Sequence, residues 1–111
     1  MKTTDALECL SALAHETRLA AFRHLVQIGP AGLPVGSLQE KLGVPPATLT
    51  AHLNILRGAG LVEDERAGRV IKVSAAYARM NELLSYLTEN CCAGARCAAA
   101  PVQTTRKRRP S

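Results

Sequence analysis

Three of the four cysteines fall within seven residues, Cys91-Cys92-Ala93-Gly94-Ala95-Arg96-Cys97. A turn at Gly94 could bring Cys97 back alongside the adjacent pair, gathering three thiolates with no imidazole or carboxylate among them. Soft thiolate sets select soft acceptors. Trivalent arsenic and antimony are such acceptors, and their lone pair favours three sulfurs in a pyramid. Arg96 beside the thiols favours the thiolate, which is the form that binds. Structural zinc fits this set less well, because it takes four N or S ligands and no histidine follows His52. The same thiols could instead act as a redox switch. The bond formed would then be Cys92–Cys97 or Cys91–Cys97, since adjacent cysteines bridge poorly. Packing is a third reading, because Cys91 continues the stripe of Leu84 and Leu87. The remaining thiol, Cys9, lies one helical turn before Leu13 and is expected to pack as a small buried hydrophobe.

Enzymatic use of these cysteines does not fit their spacing. A cysteine phosphatase or reductase opens an anion-binding loop with its nucleophile and closes it with arginine six residues on. The residues at that distance from Cys91, Cys92 and Cys97 are Cys97, Ala98 and Gln103. There is no glycine-rich phosphate loop, Ser-His-Asp set or paired carboxylate tied to a strand end. No enzyme activity and no permanent cofactor are expected.

The elements that must position the thiols belong to a short chain. Its 111 residues suit a single core, and 47% hydrophobic with 21% charged residues is ordinary for a globular protein. No apolar run reaches the eighteen residues of a membrane span. The opening Met-Lys-Thr-Thr-Asp lacks the apolar core of a signal peptide. A cytoplasmic location is therefore expected, without membrane association. Phe22, Tyr77 and Tyr86 are the only aromatic residues, so one copy buries modest apolar area and a dimer is expected. The net charge of +5 is confined to one end. Residues 1–95 hold nine basic and nine acidic side chains, whereas Arg96, Arg106, Lys107, Arg108 and Arg109 face no acid in 96–111. Such a tail can attract phosphate without sequence preference, or simply aid solubility.

Apolar spacing predicts a helix from Thr4 to about Ala14, capped by Thr4 or Asp5, with Ala6, Leu7, Leu10, Leu13 and Ala14 on its stripe. A second helix, about His15 to Ile28, ends at Gly29-Pro30-Ala31-Gly32. A short helix follows over Ser37–Leu42, closed by Gly43. Pro45 and Pro46 then introduce a helix over Ala47–Gly58, with Leu49, Leu53 and Leu56 on one face. The period changes at Gly60-Leu61-Val62. Residues 61–66 and 69–73 read as strands about a turn at Ala67-Gly68. A last helix runs from about Ala75 to Asn90, with Tyr77, Met80, Leu83, Leu84 and Leu87 as its stripe. Ala98 to Ser111 has no pattern that could bury anything and is expected to be disordered. The order describes a mainly α fold with a β-hairpin wing, that is, a winged helix-turn-helix. Residues 1–92 are expected to form this domain, closed by the C-terminal helix, and 93–111 a thiol-containing turn and disordered basic tail.

Residues 42–62 carry a specific resemblance. Thr50, His52, Leu53, Leu56, Arg57, Ala59, Gly60, Leu61 and Val62 are similar to the core motif of the ArsR-type family of arsenical-resistance and metal-responsive repressors. Ala12-Leu13-Ala14-His15-Glu16-Thr17-Arg18-Leu19 is similar to that family's entry into its second helix. The likeness covers about residues 4–92. It implies that the helix from Ala47 to Gly58 enters the major groove of DNA. Thr48 and Thr50 would face the bases, and His52, Asn54 and Arg57 would touch bases or phosphates. Arg66 and Arg69 would reach the backbone or the minor groove. The alternatives are a half-buried, hydrogen-bonded His52 that holds the turn, and a solvated hairpin tip for the two wing arginines.

The resemblance also implies a homodimer built on the first and last helices. That dimer would bind double-stranded operator DNA as a repressor, with half-sites about one helical turn apart. Arsenite or antimonite on Cys91, Cys92 and Cys97 would act as inducer and release it, and this cluster resembles one arsenic-sensing variant of the family. Other readings are a thiol or persulfide redox-sensing repressor using the same cysteines, and a ligand-independent DNA-binding protein. The sequence departs from the family in four places. Ala51 stands where arginine or lysine is common, and Glu63, Asp64 and Glu65 acidify the wing base. Leu33–Leu38 lacks the Cys-Val-Cys arsenic site, and the last helix lacks the His and Asp of the family's zinc site.

Overall fold

The computed structural model describes residues 1–94. Helix α1 spans Thr3–Leu13 and α2 spans Glu16–Ile28, with a two-residue strand β1 at Leu33–Pro34. Helices α3, Val35–Leu42, and α4, Pro46–Gly58, follow. Strands β2, Val62–Ala67, and β3, Val70–Ala75, form the wing, and α5 covers Tyr77–Leu87. A single turn of 3-10 helix, Cys91–Gly94, comes last. The winged helix-turn-helix expected from the sequence is the fold observed.

Two expectations about α1 are corrected. Its N-cap is Lys2, and Asp5 sits inside the first turn, where its Oδ2 accepts from the Lys2 backbone N–H at 3.2 Å. An acid there also suits the positive end of the helix dipole. The inward face is Ala6, Cys9 and Ala12, whereas Leu7 and Leu10 are 59% and 41% exposed. Small residues let α1 approach α2 and α4 closely, leaving the larger leucines outside. Cys9 is fully buried, as expected of a small apolar packer.

His15 starts α2, its Nδ1 accepting from the Thr17 N–H at 3.1 Å and satisfying one orphan donor. Ala21, Phe22 and Leu25 face the core. The chain then turns through Gly29 and Gly32, and at Gly32 a side chain has no room. Its φ is +72°, and a Cβ there would lie 2.5 Å from the Val73 carbonyl oxygen, so any side chain would force the backbone of β3 to shift. This approach sets β1 against β3, with Leu33 opposite Val73 and Pro34 opposite Lys72. The proline is tolerated because β1 is an edge strand of the β1-β3-β2 antiparallel sheet.

The core is Leu25, Leu38, Leu49, Leu53, Leu56, Leu61 and Val73, all essentially without solvent contact. It lies under α4 and fixes how that helix sits. The wing leaves the core early: β2 buries only Val62, and β3 buries Val73 and Ala75. Its two-residue loop is Gly68-Arg69, one position later than the Ala67-Gly68 turn expected, since Ala67 still pairs with Val70. Gly68 takes φ +66°, which a tight hairpin loop requires.

Helix α5 is shorter than expected. It ends at Leu87 with Thr88 as C-cap, so Asn90 and Cys91 lie outside it. Its start is held by the Tyr77 hydroxyl, which donates to the Val26 carbonyl at 2.9 Å. Farther along, the Thr3 and Tyr86 hydroxyls share a hydrogen bond between α1 and α5. Among the described residues no helix is long and apolar enough to cross a membrane.

Candidate nucleic-acid interface and thiol cluster

Helix α4 is half core and half surface. Leu49, Leu53 and Leu56 turn inward, and Ala47, Thr48, Thr50, Ala51, Asn54 and Ile55 turn outward. Proline at the first position suits an end whose N–H groups have no partner within the helix. Thr48 and Thr50 are both exposed near that end, but they are not equivalent. The Thr50 hydroxyl donates to the Pro46 carbonyl one turn back, at 3.0 Å.

His52 faces α2 and not the outward side. Its Nδ1 lies 3.4 Å from Arg18 Nη1, and its ring centroid is 4.5 Å from that of His15, tilted by 43°. Arg18 is itself held by a 2.7 Å bond from Nε to the Ala12 carbonyl. Desolvation, with His15 and Arg18 adding positive potential, lowers the His52 pKa from its ordinary 6.5. The half-buried, hydrogen-bonded alternative for this histidine describes its surroundings. The sequence motif had marked His15 and Arg18 as matching residues without giving either this role.

Asn54 and Arg57 form a chain to the wing. Arg57 Nη1 donates to Asn54 Oδ1 at 2.9 Å, and Arg57 Nε lies 2.9 Å from Asp64 Oδ2. The latter contact is an ion pair whose N–H is not aligned as a hydrogen bond. Asp64 on β2 therefore pairs with the α4 arginine, which gives one of the wing-base acids a specific task. Arg66 and Arg69, by contrast, stand exposed on either side of Gly68 at the wing tip.

The far end of α4 is anchored by residues the sequence reading missed. The Ala59 carbonyl accepts from Cys9 Sγ at 3.6 Å and from Arg79 Nε at 3.1 Å. Gly60 follows with φ +77°, and a Cβ on it would come within 3.2 Å of Arg79 Nε. No local signal marks Arg79, because its partner is twenty positions away.

Cys91 and Cys92 follow the end of α5 after Thr88, Glu89 and Asn90, Cys91 half-buried and Cys92 exposed. The Cys91 N–H donates to the Thr88 carbonyl at 3.0 Å. Left-handed backbone occurs at Asn90, Cys92 and Ala93, with φ of +56°, +60° and +53°, so the chain already turns before Gly94. Because α5 ends at Leu87, Cys91 does not continue the Leu84–Leu87 stripe as part of that helix. Cys97 lies outside the described residues. Among those described, no three His, Cys, Asp or Glu side chains gather to hold a metal ion. The two adjacent thiols supply a soft, sulfur-only donor pair suited to a soft acceptor.

Comparison with known proteins places this architecture. Residues 13–65 match the family described as a helix-turn-helix domain. The chain is 37% identical over 75 residues to the HTH-type transcriptional regulator NmtR of Mycobacterium tuberculosis. That match covers 68% of this chain and 60% of the regulator, so the chain spans about three-fifths of that relative's length. An ArsR-like transcriptional regulator from Rhodococcus superposes with a TM-score of 0.69 at 31% identity, covering 82% of both chains. The homodimeric winged helix-turn-helix DNA-binding domain of Mb0332 from Mycobacterium bovis superposes at 0.62 with 27% identity, over 78% of this chain and 81% of that one. Sequence and fold agree along the helices and wing just described, and the chain belongs to the ArsR family of winged helix-turn-helix transcriptional regulators.

Proposed function

We propose that this chain is a homodimeric repressor that binds double-stranded operator DNA and is released by trivalent arsenic or antimony. The observation that carries the DNA reading is the uncovered outer face of α4 standing beside the exposed wing arginines. In that reading α4 enters the major groove with Thr48, Thr50 and Asn54 toward the bases. Arg66 and Arg69 reach the phosphates or the minor groove. His52 acts from beneath, by seating α4 on α2, and Arg57 holds the wing at its working angle.

The dimer would form across α1 and α5. Leu7, Leu10, Leu84 and Leu87 are 41–59% exposed there, and the Mycobacterium bovis relative is a homodimer. Cys91 and Cys92 sit where α5 leaves that surface. Arsenite or antimonite held by Cys91, Cys92 and Cys97 would move the end of α5 and so the spacing of the two recognition helices. A coupling of ~1–3 kcal/mol would weaken operator affinity by ~5–150-fold. The site of action is the cytoplasm, whose reducing pool keeps such thiols available.

The test is a thiol count on the reduced protein, kept anaerobic, before and after one equivalent of arsenite per chain. The expected result is a fall from four reactive thiols to one in denaturant, lost when Cys91, Cys92 and Cys97 are each replaced by serine. If all four stay reactive, the metalloid reading fails. Loss of two thiols on mild oxidation instead, together with loss of DNA binding, would favour the redox-sensing alternative. Normal binding and release by the triple Cys→Ser variant would favour a ligand-independent DNA-binding protein.

A further inference from the structure

We infer that α4 reads DNA through the C5-methyl groups of thymine, contacted by Ala47, Ala51 and the methyl of Thr50. The inference rests on the proposal that α4 occupies the major groove and deepens it. Ala47 and Ala51 are one helical turn apart and Asn54 lies a further turn on, so these three line the centre of the exposed face. From Pro46 to Asn54 that face holds no lysine, arginine, glutamine or carboxylate. The usual partner of guanine, a bidentate arginine or lysine on O6 and N7, is therefore missing from the first two turns.

Of the polar groups that remain, Thr48 stands exposed near the start of the helix, while Thr50, Asn54 and His52 each have a contact within the protein. The Thr50 hydroxyl donates its proton to the Pro46 carbonyl, so it has no donor left for a base and its exposed side chain can offer an acceptor and a methyl. Asn54 Oδ1 accepts from Arg57, and His52 faces Arg18. Exposed Ile55, at 45%, adds apolar surface beside this face. Thymine alone of the four bases presents a methyl in the major groove, and alanine and threonine methyls are its natural apolar contacts. Ala51, a departure from the cation common in the family, thus becomes a specificity residue.

The test begins by selecting a preferred duplex from a random synthetic library with the full chain. Each thymine of that duplex is then replaced singly by deoxyuridine, which deletes the methyl and keeps the base pair. Removing a contacted methyl is expected to weaken binding about fourfold, the scale of one buried methyl-sized group. Replacing guanines by 7-deazaguanine, which removes the N7 acceptor, is expected to leave affinity within about twofold, short of the about fivefold or more that losing a bidentate contact costs. Ala51→Gly should erase the thymine-to-uracil difference at one position per half-site. That ratio is taken within one variant, so any loss of helix stability cancels. Indifference to every uracil substitution, or a large 7-deazaguanine effect, overturns the inference while leaving operator binding intact. Failure to enrich any sequence would overturn the operator reading and this inference with it.

Discussion

Cys9 of α1 and Arg79 of α5 donate to the same acceptor, the carbonyl oxygen of Ala59. That carbonyl belongs to the turn that ends α4 and begins the wing. The two helices carrying the exposed leucine surface therefore grip the end of α4 at one point. Arg79 adds ion pairs to Asp5 at 3.9 Å and Glu82 at 3.7 Å, so it spans α1, α4 and α5 together. A displacement of α5 has a short mechanical route to the orientation of α4.

Arg79→Met keeps most of the side-chain packing and removes the hydrogen bond. The expected cost is about 1.5–3 kcal/mol, the range for a bond from a charged donor, because the side chain is only 26% exposed. Urea unfolding measures it. Operator binding by the folded variant should weaken as well, since the α4–wing turn loses one of its two donors. Unchanged stability and affinity would mean that Cys9 alone suffices to hold the turn.

The thiols divide by burial. Cys9 is completely covered, whereas Cys92 is exposed and Cys91 half-buried. Under native conditions a large aromatic disulfide reagent should modify Cys9 slower than either by about a hundredfold or more, because access to it needs opening of the α1 packing. Cys9→Ala should leave the fast phase intact and remove the slow one. A fast Cys9 would mean that α1 frays far more readily than its buried face suggests.

The spacing of Leu49, Leu53 and Leu56 made α4 readable, because a helix with one buried face must repeat its apolar residues that way. The glycines that close α3 and open the wing were legible for a similar reason, each marking a backbone few other residues adopt. The inner face of α1 was not. Ala6, Cys9 and Ala12 look weakly hydrophobic beside Leu7 and Leu10, and only the close approach of α2 and α4 reveals which face is covered. Strand β1 escaped because two residues carry no period. The Ala59 joint is invisible for a deeper reason: a backbone carbonyl has no side-chain signature, and its donors come from distant helices.

The exposed leucines yield a prediction about assembly. Leu84→Glu and Leu87→Glu each place a charge on a surface of α5 that is half open in the single chain. Neither side chain belongs to the core, so the folded protomer should keep its helix content. Sedimentation should give a monomer at micromolar concentration where the unsubstituted chain gives a dimer. Operator affinity would fall with it, since one protomer reaches one half-site. A dimer that survives both substitutions would move the interface elsewhere.

His52 yields a pH dependence with a definite sign. Its pKa is lowered in the folded chain, by desolvation first and then by His15 and Arg18. The unfolded chain therefore binds more protons than the folded one below the ordinary value of 6.5. Stability from this residue is complete above that pH and is lost as pH falls through the folded value. Urea midpoints measured from about pH 7.5 down to about 5 should decline in the unsubstituted chain. His52→Gln, which can still accept from Arg18, should flatten that part of the curve.

The Arg57–Asp64 pair decides how much positive charge α4 presents, and so bears on the proposed DNA contact. The two side chains are 29% and 39% exposed, so solvent screens the pair and its stabilising effect is at most about 1 kcal/mol. Asp64→Asn should therefore cost little stability. It should, however, leave the Arg57 guanidinium with less competition for DNA phosphate. One additional phosphate contact per protomer steepens the dependence of log affinity on log salt by about 0.9 for each contact. Non-specific binding at low salt should rise, while discrimination between the selected duplex and random DNA falls. Fluorescence anisotropy on both duplexes across a salt series measures the two slopes. A slope unchanged by Asp64→Asn would mean that Arg57 works only as the brace between α4 and β2, held there by Asn54.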